Sequence, residues 1–109
     1  MNQMYEACLQ ACNACADDCD RCAAACLKEA DVKMMARCIA LDMDCADICR
    51  MSAAFMARES EFAKMLCRAC ADVCQAFGDE CAKHKHDHCQ RCAQACRRCA
   101  EECRRMATA

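Results

Sequence analysis

Residues 8–26 read CLQACNACADDCDRCAAAC, with cysteine at 8, 12, 15, 19, 22 and 26. The gaps alternate between four and three. At about 100° per residue these six positions fall within an arc of about 80° on an α-helix. The alternation is the a/d pattern of a helix whose seam faces partner helices. Where an ordinary seam carries leucine, this one carries cysteine. Residues 89–103, CQRCAQACRRCAEEC, repeat the device with Cys89, Cys92, Cys96, Cys99 and Cys103. The middle of the chain holds thinner copies: Cys38, Cys45 and Cys49 on one helical face, then Cys67, Cys70, Cys74 and Cys81 on another.

Composition supports an all-helical reading. The chain has 109 residues, no proline and one glycine, Gly78. Only Val32, Ile39, Ile48, Val73 and Thr108 are β-branched, so a sheet lacks both its strand formers and its turn formers. Leu, Ile, Val and Phe number eleven, against twenty-four alanines, nine methionines and eighteen cysteines. Any core is therefore built of Cys, Ala and Met. A protonated thiol packs as a small hydrophobe, so such a core is physically sound. The formal charge of −2, from fifteen Lys and Arg against seventeen Asp and Glu, gives no support to nucleic-acid binding. No apolar run approaches the ~20 residues that span a bilayer. The first residues, MNQMYEAC, do not read as a secretory signal.

Four helices are predicted, over about Asn2–Leu27, Asp31–Ala57, Ser60–Lys83 and Asp87–Met106. Asn2, Asp31 and Ser60 are the candidate N-caps. The short connections make sequential helices antiparallel. The expected architecture is an all-α, up-down-up-down four-helix bundle with cysteines lining its core, in one domain spanning 1–109. Met1, Met4, Tyr5, Met51, Phe55, Met56, Phe62, Met65, Leu66 and Met106 fall by topology at one end, as an apolar plug. The segment Lys28–Met35 and the run His84-Lys85-His86-Asp87-His88 fall at the other, as a polar mouth.

A core of eighteen thiols points to metal. Leucine would bury more apolar area in the same space, so packing alone does not account for the choice. A disulfide framework is expected to be loop-rich and irregular, whereas these spacings are helical steps. Thiolates are soft ligands that select Cu(I), zinc or iron–sulfur clusters. Zinc takes four ligands, commonly from turns. Cu(I) accepts two or three sulfurs, and a Cys pair at i and i+4 lies on one helix face. Seven such pairs exist: Cys8/Cys12, Cys15/Cys19, Cys22/Cys26, Cys45/Cys49, Cys70/Cys74, Cys92/Cys96 and Cys99/Cys103. Cys38 and Cys81 are left to pair across helices, and Cys67 and Cys89 to join their i+3 neighbours. Two-coordinate ions on unshared thiolates leave a buried negative charge, which is costly. Bridging thiolates with one Cu(I) per cysteine leave the core neutral. The expected loading is near that ratio, with acid opposing it because thiol protons are displaced.

Three rivals differ in class. Cys67-x2-Cys70-x3-Cys74 looks like part of an iron–sulfur string, yet lacks the loop, the closely spaced further Cys and the following proline. A zinc or cadmium buffer of metallothionein type uses the same donors. A thiol oxidoreductase needs one activated, exposed Cys-x2-Cys pair rather than a buried row.

The pattern resembles one known family, the cytosolic copper storage proteins of bacteria, over essentially the whole chain. The resemblance rests on the inward Cys rows, on CIALD at 38–42 followed by CADIC at 45–49, and on the His84–Cys89 run. It implies a tetramer of four-helix bundles holding many Cu(I) ions. It further implies cytosolic storage and detoxification, with no catalysis. The secreted branch of that family carries a twin-arginine export signal, which is not seen here.

The remaining candidates are secondary. His84, His86 and His88 either pass Cu(I) at the mouth or cap helix ends. Met34 and Met35 read mainly as gap fillers. Asp42, at i+4 from Cys38 where the row calls for another Cys, either lines the core or, the preferred reading, pairs with a cation. Gly78 is expected to leave room for metal on the inner face.

Overall fold

The computed structural model describes residues 3–109, with side chains from Tyr5 onward. The expected cap at Asn2 and the plug side chains of Met1 and Met4 lie outside what is described. Four α-helices follow one another: α1 Gln3–Cys26, α2 Ala36–Ala57, α3 Ala63–Ala82 and α4 Asp87–Thr108. Helix α1 packs against α2 and α4, and α3 packs against the same two. The helices thus form an up-down-up-down ring, 44 × 18 × 17 Å in extent. That length follows from α1, whose 24 residues rise about 36 Å at ~1.5 Å each.

Alanine explains how the ring closes. Ala16, Ala46, Ala53, Ala63, Ala71, Ala93 and Ala100 are buried beside the cysteines. Small residues at those positions let the helices approach closely, since the interaxial distance depends on the side chains at the contact. Larger filling comes from Met35, Met56, Phe77 and Met106. Deleting so large a buried ring as that of Phe77 typically costs about 3–5 kcal/mol.

The helix starts differ from expectation in instructive ways. Asp31 does not cap the second helix. Its carboxylate instead accepts from His86 Nε2 at 3.2 Å, and the chain passes through a 3-10 turn, Val32–Met35, before α2 begins at Ala36. Ser60 does support the start of the third helix, its Oγ accepting from Phe62 N–H at 3.1 Å, though the regular helix begins only at Ala63. The turn between α2 and α3 is a Schellman motif. Ser60 N–H donates to the Phe55 carbonyl at 2.9 Å and Glu59 N–H to that of Met56 at 3.0 Å. Glu59 takes the left-handed position at φ 52°, which usually falls to glycine.

The expected plug is partial. Met56 and Met106 are buried, but Met51, Phe62 and Met65 are half or more exposed. They lie on the outer sides of α2, α3 and their connection, where no neighbouring helix covers them. At the other end Met35 is buried while Met34 stands in solvent.

Candidate metal centre

All eighteen cysteines are buried and none is in a disulfide. Each helix contributes its seam positions, so the thiols converge on the bundle axis. The closest sulfur contacts cross between helices: Cys45 to Cys74 at 3.4 Å, Cys15 to Cys96 at 3.5 Å, Cys38 to Cys81 at 3.5 Å and Cys49 to Cys74 at 3.5 Å. The i,i+4 contacts are longer. Cys70/Cys74 lie 3.8 Å apart, Cys22/Cys26 and Cys99/Cys103 3.9 Å, and Cys15/Cys19 and Cys45/Cys49 4.0 Å. Sequence spacing puts the i,i+4 pair in the foreground because it sees one helix. In the bundle, seam side chains aim at the opposite wall and meet there first.

A soft ion bonded to sulfur at about 2.3 Å spans two sulfurs about 4.6 Å apart when linear and about 4.0 Å apart when trigonal. The thiols stand within small rotamer adjustments of either. Four-sulfur clusters recur along the axis, each with its sulfurs within 4.8 Å of one another: Cys12/Cys49/Cys70/Cys99, Cys15/Cys49/Cys74/Cys99, Cys15/Cys19/Cys45/Cys96 and Cys22/Cys38/Cys81/Cys89. The first two share Cys49 and Cys99 and the second and third share Cys15, so a sulfur of one of them is also a donor to the next. Such sharing is the geometry of bridging thiolates. At the plug end, Cys8 and Cys12 both meet Cys103, at 3.7 and 3.6 Å, and Cys67 touches the Met56 sulfur at 3.7 Å rather than its i+3 neighbour.

Burial opposes the loss of protons from these sulfurs. Desolvation and the neighbouring Cys89 push the Cys26 thiol up to about 12. Metal uptake at such a site therefore exchanges protons for cations, which keeps the dry core near neutrality.

Asp42 differs from the reading that paired it with a cation. It is fully buried. One oxygen accepts from the Cys92 thiol at 3.5 Å and the other has no partner. Burial first, and then the adjoining Cys92, push its carboxyl up to about 9, so the group is neutral at physiological pH. Cys92 also reaches Cys19 at 3.8 Å, which places Asp42 where the mouth thiols meet the central ones. Gly78 also departs from expectation. A Cβ there would meet Arg97 Cγ at 3.4 Å, the Ala93 carbonyl at 3.5 Å and Cys96 Cβ at 3.6 Å. These are α4 atoms, so Gly78 sits in the α3–α4 contact and does not open space for metal.

At the mouth the three histidines separate. His84 Nε2 lies 2.9 Å from Glu80, whose carboxyl is held below the usual range by that bond, against desolvation and with help from Arg37. His86 lies between Glu29 and Asp31. Only His88 turns inward, with Nδ1 at 3.5 Å from Cys22, 3.6 Å from Cys89 and 3.9 Å from Cys26. These four form one more ligand cluster. A narrow crevice of about 50 Å3 between α1 and α4 reaches Cys22, His88 and Cys92 past Asp18, Arg21 and Arg91. The carboxylates of Glu29, Asp31 and Glu80 were not legible as site residues. The signal was topological: an acidic connection after α1 sits at the same end as the His run.

A helical bundle with clusters of buried thiols recurring along its axis is a container for soft metal ions. The family model for copper storage protein matches residues 1–108, and the chain belongs to the copper storage protein family. Among solved structures, the chain is similar to the Cu(I)-bound Bacillus copper storage protein BsCsp3, with a TM-score of 0.92 and 49% identity over 95% of this chain and 98% of that one. The apo form of copper storage protein 3 from Bacillus subtilis aligns with a TM-score of 0.89 and 50% identity over 94% and 97% of the two chains. A cytosolic copper storage protein from Streptomyces lividans, bearing five coppers, aligns with a TM-score of 0.95 and 41% identity over 98% and 94%. Copper is thus the cargo, and the family is one of storage proteins rather than enzymes.

Proposed function

We propose that this protein stores and detoxifies Cu(I) in the cytosol, at a capacity near one ion per cysteine. The observation that carries the reading is the burial of all eighteen thiols, most of them in clusters that share members along one axis. Charge favours Cu(I) over zinc in such a column. A zinc ion on four thiolates keeps an excess of two negative charges per site in a dry core, whereas bridged Cu(I) and thiolate balance one to one. The proposed ligands are the eighteen cysteines, with His88 completing the mouth cluster. His84 and His86, engaged with carboxylates, serve as a surrounding shell. The cytosolic location follows the similar Streptomyces protein. The chain acts as one domain, and as a tetramer. Exposed Met51, Phe62 and Met65, beside the half-buried Ile48, Phe55, Leu66 and Val73, give α2 and α3 an apolar outer side suited to a second copy. No described helix is long and apolar enough to cross a membrane.

Anaerobic titration of reduced protein with Cu(I), followed by metal analysis and native mass spectrometry, tests the proposal. Saturation near one copper per cysteine in a tetrameric mass is expected. Saturation near half that ratio would refute bridging. Preferential retention of zinc in competition with Cu(I) would refute the cargo.

A further inference from the structure

We propose that Glu29 is a positioning residue for copper: it holds the His88 proton on Nε2 and so aims the Nδ1 lone pair at the mouth thiols. This rests on His88 being a ligand, as proposed above. Glu29 lies on the connection after α1, and its carboxylate bridges two rings. Oε1 is 3.3 Å from His88 Nε2, and Oε2 is 3.3 Å from His86 Nδ1. A carboxylate oxygen only accepts, so the nitrogen facing it is the one that carries hydrogen. In the neutral imidazole, His88 Nε2–H therefore points at Glu29, and Nδ1 is left bare toward Cys22, Cys26 and Cys89.

Glu29 is itself fixed. His86 Nδ1 lies 3.3 Å from its second oxygen, and the far nitrogen of His86 reaches Asp31 at 3.2 Å. The His86 and His88 rings stack with centroids 5.3 Å apart and planes 5° from parallel. Asp31, His86, Glu29 and His88 thus form one chain that joins the connection after α1 to the start of α4. The stack packs the His86 ring against that of His88, and the carboxylate fixes which nitrogen is a donor. Metal-bound histidines generally use such an outer carboxylate, and losing it typically weakens metal binding about 10–100-fold. When copper meets this neutral Nε2–H ring, the Nδ1–Cu bond forms with no proton leaving His88. The only protons displaced at this cluster are those of the thiols, which pass to solvent or to the copper donor.

The test follows the His88 ring nitrogens by 15N–1H NMR in the full-length protein, in four variants: wild type, Glu29→Ala, His88→Ala and the double variant. In the wild type the Nε2–H form is expected, and substoichiometric Cu(I) shifts the Nδ1 resonance. In Glu29→Ala, the concentration of a competing Cu(I) chelator that strips this signal should fall about 10–100-fold. Chelator competition monitored by bound copper supplies the second reading. Glu29→Ala should weaken retention in the wild type and have no further effect once His88 is alanine. If Glu29 only draws cations toward the mouth, its loss would weaken retention equally in both backgrounds, and the inference fails. It also fails if Nδ1 carries the proton in the wild type. Total capacity near eighteen ions alongside either result would leave the storage function intact and remove only the role of Glu29.

Discussion

Asp42 offers the sharpest test of the core's physical chemistry. Its carboxyl is pushed up from 3.8 to about 9 by burial and by Cys92. The folded chain thus holds this proton more tightly than the unfolded chain does. The associated stability is fully present below pH 3.8 and is lost progressively as pH rises toward 9. Each unit in that window amounts to about 1.36 kcal/mol. At neutral pH, roughly three units into it, keeping the site neutral costs about 4 kcal/mol. Asp42→Asn is neutral at every pH and keeps an oxygen for the Cys92 thiol. Its amide hydrogens are left without partners, an offset of about 1–3 kcal/mol. The expected result is a variant more stable than wild type by about 1–3 kcal/mol at pH 7 and no better, or worse, near pH 4. Urea unfolding of the reduced, metal-free protein at a series of pH values measures the difference directly. The thiols away from residue 42 titrate alike in both proteins and cancel in the comparison. A difference that stays flat with pH would refute the assignment of a neutral, buried carboxyl.

Three other outcomes follow from the geometry. Glu59→Gly should raise stability by about 1 kcal/mol, since glycine relieves the left-handed strain at φ 52° without losing a contact; a chemical denaturation midpoint reads it. Gly78→Ala should also stabilise, by up to about 1 kcal/mol, because the added methyl makes ordinary contacts with α4 and helix propensity improves. Its copper capacity should match wild type, and a capacity loss would restore the idea that the glycine makes room for metal. Replacing Cys15, Cys45, Cys74 and Cys96 together by serine should lower capacity by about four ions, measured by metal analysis after gel filtration. A larger loss would show that the central clusters are needed to fill their neighbours.

Much of the site was legible because a helix converts spacing into direction. Cys8 through Cys26 had to share a face, and so did Cys89 through Cys103, whatever the helices packed against. The absence of proline and near absence of glycine left no other structure for those segments. Cysteine in the place of leucine then tied core and chemistry together. The i,i+4 pairs such as Cys70/Cys74 and Cys15/Cys19 do meet, at 3.8 and 4.0 Å, but other contacts are closer. Spacing reports neighbours on one helix, and the closest sulfurs, Cys45 and Cys74, belong to two.

Sequence alone, then, determined the helices, their inward faces and the soft character of the donors, since each is fixed by angular position and side-chain type. Tertiary structure decided distances between helices and the company each polar group keeps. It turned His88 inward and gave His84 and His86 to carboxylates. It enclosed Asp42 beside Cys92 instead of a cation, and it set Gly78 against α4. Those outcomes depend on the axial register of one helix against the next, which packing settles and residue spacing does not encode.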